Sequence, residues 1–348
     1  MRRHFCHAGC GLALLVFFSL LLLHPASLTA QQPYRVLDRW KIGGEGGWDD
    51  LRVDSATHRL FISRGARFDV VDLASGKLIG SIHDLHHTHS IAFDPESQRG
   101  FLTDGTGGNV VVVIDRVTLA TEARIPAGNN PDLILYEPAT KTVWAFNGRS
   151  HDATVIDAAS LKVLSTVALP GKPEFSAADG KGTIFVNIED KNVLVRLDAV
   201  TRVITATWPL KSCESPSGLG FDAARSRLFS VCDGKKMAIT DAISGKSLGT
   251  AAIGVGPDGA AYSERYHLAF SSNGEGTLSV VDAAAPGYPT IETLPTQKSA
   301  RTMAWDPEND RIYTVAAESG PRPAATAENP KPAVPMISGS FVVIVVGR

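Results

Sequence analysis

A unit of about 42 residues recurs along most of the chain, and no other feature restricts the fold so strongly. Its clearest marker is an apolar run ending in aspartate: Val71-Asp72, Ile114-Asp115, Ile156-Asp157, Leu197-Asp198, Thr240-Asp241 and Val281-Asp282. These aspartates are spaced by 43, 42, 41, 43 and 41 residues. A second ladder runs out of phase through Asp54, Asp94, Glu137, Asp179, Asp222, Ser263 and Asp306, with gaps of 40, 43, 42, 43, 41 and 43. A fixed period of this size, filled with short alternating strands, marks the blades of a β-propeller.

Blade two shows the four strands most clearly: HSIAFD (89–94), GFLTD (100–104), NVVVVID (109–115) and TLATEARI (118–125). Gly, Asn, Pro and Asp fill the gaps, as hairpin connections require. The second strands of the other blades begin at Leu60, Val143, Ile184, Leu228, Leu268 and Ile312. The last blade has strands at 301–306, 311–316 and 340–348 but no fourth strand after them. YRVLDRWKI (34–42) supplies it from the other end, so the sequence predicts an all-β, seven-bladed propeller. Closing the ring in this way removes two exposed sheet edges. Residues 317–339 interrupt the last blade with Pro321, Pro323, Pro330, Pro332 and Pro335. That composition favours extended, mobile chain, either as a flap or as a lid over the channel.

Residues 1–30 stand outside the repeat. Arg2 and Arg3 precede an apolar run from Leu12 to Leu23, then Pro25 and small residues up to Ala30. This predicts a signal peptide cleaved near Ala30–Gln31, and hence a periplasmic or secreted protein over 31–348. The run is short for a membrane span, and no later segment is longer. A formal net charge of −2 argues against general nucleic-acid binding. Only Cys213 and Cys232 remain after cleavage. An oxidising compartment predicts that they pair. Two isolated thiols are the alternative, because pairing along one hairpin needs suitable side-chain directions.

In a propeller, the loops entering each innermost strand converge on one mouth of the central channel. The residue five places before each member of the second ladder sits at that point. Around the ring it is Asp49, His89, Asp132, Glu174, Ser217, Asp258 and Arg301, and all seven are polar. Proline precedes four of them, as a turn requires, but the polar identity varies from blade to blade. Two carboxylates about 8 Å apart repel by roughly 2 kcal/mol at an effective dielectric near 20. A divalent cation, or a cationic or polyhydroxyl ligand, would relieve this. Oxygen donors suit Ca²⁺ or Mg²⁺, whereas His89, with Glu174 beside it, would admit a transition metal. A solvated polar funnel without a specific ligand is the plainer reading. Asn147, Arg149, Asn273 and Glu275 lie on loops of the same face and are further candidates for ligand bonding. His83, His86 and His87 crowd the loop before His89, and His151 is placed to approach it across a blade boundary. The aspartates that end the apolar runs are expected to bond turn backbone on the opposite face.

Several stretches carry a resemblance to a known family: GPDGAAYS (256–263), RLFIS (59–63), RLFSV (227–231), LSVVD (278–282), FNGRSHDATVIDA (146–158), GKPEF (171–175), VNIEDK (186–191) and SSNGEGTLSVVD (271–282). Together with the Pro-rich tail ending in GSFVVIVVGR, they resemble bacterial secreted YncE-like proteins built from YVTN-type propeller repeats, although the YVTN tetrapeptide itself does not occur. The resemblance spans 31–348 and implies an extracytoplasmic propeller without an established reaction. No HExxH or Cys-x-x-Cys-His motif is present, and GGEGG (43–47) lacks the lysine of a P-loop. The expected function is non-enzymatic binding of a small molecule or an extracytoplasmic protein at the mouth. The alternative is a metal-dependent lactonase- or lyase-like enzyme built around His89, Glu174 and neighbouring acids.

Overall fold

The computed structural model describes residues 1, 2, 4, 5, 32–326, 330, 332 and 334–348. The chain divides into two units, Met1–Gln32 and Pro33–Arg348. Nearly all of the expected signal peptide lies outside the described residues.

The second unit holds seven antiparallel sheets of four strands each. We call the strands of a blade a to d, from innermost to outermost. Blade two runs Thr88–Phe93, Arg99–Asp104, Val110–Asp115 and Thr121–Pro126, within three residues of the sequence reading at each end. The middle of strand c is fully buried because it is flanked within the blade and covered on both faces: Val111, Val112, Val113 and Ile114 are all buried. Blade seven uses Met303–Asp306, Arg311–Ala316 and Val342–Gly347, and Arg35–Lys41 pairs on its outside. Among the described residues, one helical feature interrupts this pattern, a 3₁₀ turn at Glu189–Lys191, capped by Asn192 at φ 54°.

The apolar core is not one mass. Seven buried clusters each join two neighbouring blades, and together they complete the ring. The pairing of strand d with strand c carries a register shift at the same place in every blade, such as Val70/Val71, Val113/Ile114 and Val36/Asp38. A bulge there twists each outer edge away from a flat, pairable strand. Asp72, Asp115, Asp157, Asp198, Asp241 and Asp282 accept backbone N–H groups two or three residues ahead, as expected for turn residues.

The base of the 317–339 insertion is more ordered than its composition suggested. Gly320 N–H donates to the Pro335 carbonyl at 2.8 Å, and Ile337 N–H donates to the Glu318 carbonyl at 2.8 Å. Arg322 donates to the Pro332 carbonyl at 2.9 Å. Proline lacks a donor but keeps its acceptor, so these prolines fit where only a carbonyl is needed. Met336 packs against the cluster between blades seven and one.

Cys213 and Cys232 form a disulfide, with Cα atoms 5.2 Å apart. The bond closes a short loop, 19 residues apart in sequence, for which chain entropy gives about 3 kcal/mol. Replacing both cysteines by alanine should lower the unfolding free energy by that order, measured by urea denaturation. Two reactive thiols in the unreduced, denatured parent would contradict the bond.

Candidate functional site

The mouth is built by the segments that lead into the seven a strands. Asp49 follows the glycine-rich loop 43–47, which is pinned from below. Arg64, fully buried, donates to the Glu45 carbonyl at 3.0 Å and to the carbonyls of Gly43 and Gly46, and its guanidinium lies 3.6 Å from the Phe341 ring centroid. On blade five, Ser215, Ser217 and Asp233 sit beside the disulfide that ties their two loops together. Blade four contributes Glu189 through its 3₁₀ turn.

Two chambers result. The upper one has a volume of about 350 Å³, and its lining includes the carboxylates of Asp49, Asp132, Glu174, Glu189, Asp233 and Asp258. Against these six stand two cationic groups, Lys172 and Arg301. The lower chamber is about 30 Å³ and is shared by Asp49, Asp50, His89, Asp132, Glu174 and Asp258 among others. All seven residues named from the repeat line one chamber or the other.

His89 is the hub of the lower chamber and is only 7% exposed. Its Nδ1 lies 2.6 Å from Asp49 Oδ2 and 3.1 Å from Asp132 Oδ1, so three successive blades meet there. Its Nε2 faces His87 Nδ1 at 3.0 Å. Burial opposes a proton on His89, but the Asp49 hydrogen bond and the charge of Asp132 outweigh it and raise its pKa. Burial and the neighbouring His89 push His87 down. These opposite shifts favour His89 Nε2–H as the donor and His87 Nδ1 as the acceptor of the bond between them. Gly105 makes room for this ring, because a Cβ there would lie 2.7 Å from His89 Nε2.

Charge is only partly compensated higher up. Lys172 Nζ is shared between Glu174 at 2.7 Å and Glu189 at 2.5 Å. Arg301 Nε meets Asp258 at 3.0 Å and reaches Asp49 at 3.8 Å. Burial raises the Asp258 carboxyl to about 7, against the pull of Arg301. Burial also raises Glu174 and Asp132; the Asp132 charge adds to the rise at Glu174, and His89 opposes it at Asp132. Ser217 donates to the Pro257 carbonyl at 3.3 Å.

The other loop candidates are not brought to the chambers. Asn147 and Asn273 are fully buried, and each spends its amide on nearby side chains: Asp152 and Thr154 for the first, Thr277 and Ser279 for the second. Arg149 and Glu275 are exposed, and Glu275 accepts from Thr277. His86 bonds Asp104 at 2.9 Å, and His83 is exposed. His151 is not among the donors gathered around His89. Lys172, Glu189, Asp233 and Asp50 line the chambers without having been singled out in the sequence. For Lys172 a signal existed: it precedes Pro173 in a turn that otherwise gathers acids.

Fold and geometry define a seven-bladed β-propeller with an acidic channel mouth. No protein-family model matches the chain, and no curated protein sequence matches it. Among the described residues, no helix is long and apolar enough to cross a membrane.

Proposed function

We propose that the protein is an extracytoplasmic, non-enzymatic binding propeller of the YncE-like YVTN type, and that its mouth receives an ammonium or guanidinium group. The bearer is a small molecule or a basic side chain of an extracytoplasmic protein. One observation carries this reading: six carboxylates against two cations around a chamber of about 350 Å³. That volume falls within the range of small-ligand pockets. Burial holds Asp258, Glu174 and Asp132 towards their protonated forms, and an entering cation would favour the ionised forms that Lys172 and Arg301 support only in part. The Cys213–Cys232 bond and the leader-like segment 1–30 support an oxidising, extracytoplasmic setting.

Spermidine and a short Lys/Arg peptide are suitable probes for calorimetric titration. Glu174→Gln and Asp258→Asn should each weaken binding about tenfold, roughly 1.4 kcal/mol, and added salt should weaken it further. Asp157→Ala, in a turn on the far face, should cost about 1 kcal/mol of stability and leave affinity unchanged. Parent-like affinity in both mouth variants would place the site on the outer blade surfaces.

The raised Asp258 carboxyl, at about 7, favours a second reading. A carboxylic acid titrating near neutrality can act as a general acid or base. Under that reading the mouth belongs to a metal-dependent lactonase- or lyase-like enzyme. Turnover of lactone or uronate substrates that is lost in Asp258→Asn would support it.

A further inference from the structure

We propose that Asp49, His89 and Asp132 hold one divalent transition-metal ion at the floor of the mouth, taking Zn²⁺ in preference to Ca²⁺. The inference rests on the reading of the mouth as a binding site and names what its lower chamber takes. One ligand atom from each residue lies within 4.8 Å of the other two. The donors come from three successive blades, so the sheets hold them in place and little ordering remains for the ion to impose.

The lower chamber supports this independently. Its volume of about 30 Å³ matches one water molecule or one ion and excludes an organic ligand. Asp50 opens onto it with its side chain 95% buried. Its Oδ2 is taken by Ser90 Oγ at 2.5 Å and Arg52 Nε at 2.8 Å. Its Oδ1 is buried and accepts no hydrogen bond among the described residues. A buried carboxylate oxygen without a donor is costly, and a metal-bound water would supply the donor.

Ring geometry fits as well. With Nε2–H donating to His87 Nδ1, His89 directs Nδ1 towards both carboxylates, where a metal ion would take the place of the Nδ1 proton. An outer partner that fixes the free ring nitrogen is the usual support of a metal-bound imidazole. Imidazole with two carboxylates suits Zn²⁺ or its first-row neighbours, whereas Ca²⁺ takes six to eight oxygens. A proton on Nδ1 would hold the same three groups together, so the competing state is an imidazolium between two carboxylates.

The test is calorimetric titration of the purified, tag-free, chelator-treated protein with ZnCl₂ and separately with CaCl₂. The expected result is one Zn²⁺ per chain at micromolar Kd or tighter, with Ca²⁺ at least tenfold weaker. His89→Gln and Asp132→Asn should each lose at least tenfold in Zn²⁺ affinity, while His83→Ala/His86→Ala should bind as the parent does. Melting curves in chelator identify any variant that fails to fold, and the other variant then decides. Absence of saturable Zn²⁺ binding to the parent, equal affinity for Ca²⁺, parent-like affinity in the folded site variants, or loss in the loop-histidine variant would each overturn the proposal. Zn²⁺ bound without spermidine would uphold this inference and overturn the cation-binding reading. Spermidine bound without Zn²⁺ would do the reverse.

Discussion

Deleting residues 31–42 should leave a protein that does not accumulate as a folded monomer. The segment is the whole outer strand of blade seven, in register from Arg35↔Gly347 to Lys41↔Val342. Its side chains also reach blade six and the inner part of blade seven. Tyr34 Oη donates to Asp310 at 2.9 Å, and its ring meets Phe270 edge-on at 5.2 Å. Arg39 donates to the Thr296 carbonyl at 3.0 Å, and Trp40 packs 5.6 Å from Tyr313. Each large apolar side chain withdrawn from such contacts costs about 1.5–3 kcal/mol, and several go together. That sum rivals the 5–15 kcal/mol typical of a whole domain. The deletion also exposes Val342–Val346, an apolar β-branched edge with unpaired backbone groups and ready to recruit other chains. Light scattering after size exclusion, with a thermal melt, decides the matter. A monomer melting with the parent would mean that the ring closes without this strand.

The metal-free protein should be most stable near pH 4 and lose stability as the pH rises through 7. Asp258 is the main cause. Its folded pKa of about 7 lies well above the ordinary carboxyl value, so the folded state keeps a proton that the unfolded chain releases. Stability is therefore lost progressively from about pH 4 to about pH 7 and levels off above. Glu174, Asp132 and Asp50 are shifted the same way by burial. The raised pKa of His89 adds to the slope, because its charged form is favoured only when folded. Below about pH 4 the sign reverses: turn hydrogen bonds depress Asp72, Asp157, Asp198 and Asp241, whose contribution disappears on protonation. The alkaline loss should amount to about 1–3 kcal/mol, less than the full shift, since the Asp258 side chain keeps 20% exposure. Urea denaturation at pH 5, 6, 7 and 8 measures it, and Asp258→Asn should flatten the slope. A parent profile that is level or rising over this range would show that these carboxyls are already ionised and accommodated.

The architecture was legible because rotation repeats it. Six blades reuse the Asp that closes the c–d turn, so strand order and blade count follow from spacing, and the last blade needed the N-terminal strand to complete it. The same regularity located Asp49, His89, Asp132, Glu174, Ser217, Asp258 and Arg301, since equivalent positions must face the axis. Residues off that position were harder to find. Asp50 is buried by Ser90 of the next blade, a contact that no within-blade period encodes. Glu189 depends on one 3₁₀ turn, and Asp233 on the hairpin held by the disulfide. Asn147 and Asn273 looked like ligand donors, yet a hydroxyl seven or six residues on, Thr154 or Ser279, takes the amide. That recurring Asn-to-hydroxyl spacing was present in the sequence and marks a structural lock.

The pairing of Arg35–Lys41 with Val342–Gly347 also sets the order of events during folding. Two strands about 300 residues apart in sequence pair side by side. Six blades contain all four of their strands within one continuous segment, so each can form from local hairpins as it emerges. The seventh cannot. Until Val342–Gly347 arrives, Arg35–Lys41 has no strand to pair with, and the ring remains an open arc whose two ends are free to meet other chains. Ring closure is therefore expected to be the slow, concentration-sensitive step of folding, and a chain moved across a membrane in extended form would reach it only after its last strand had passed through.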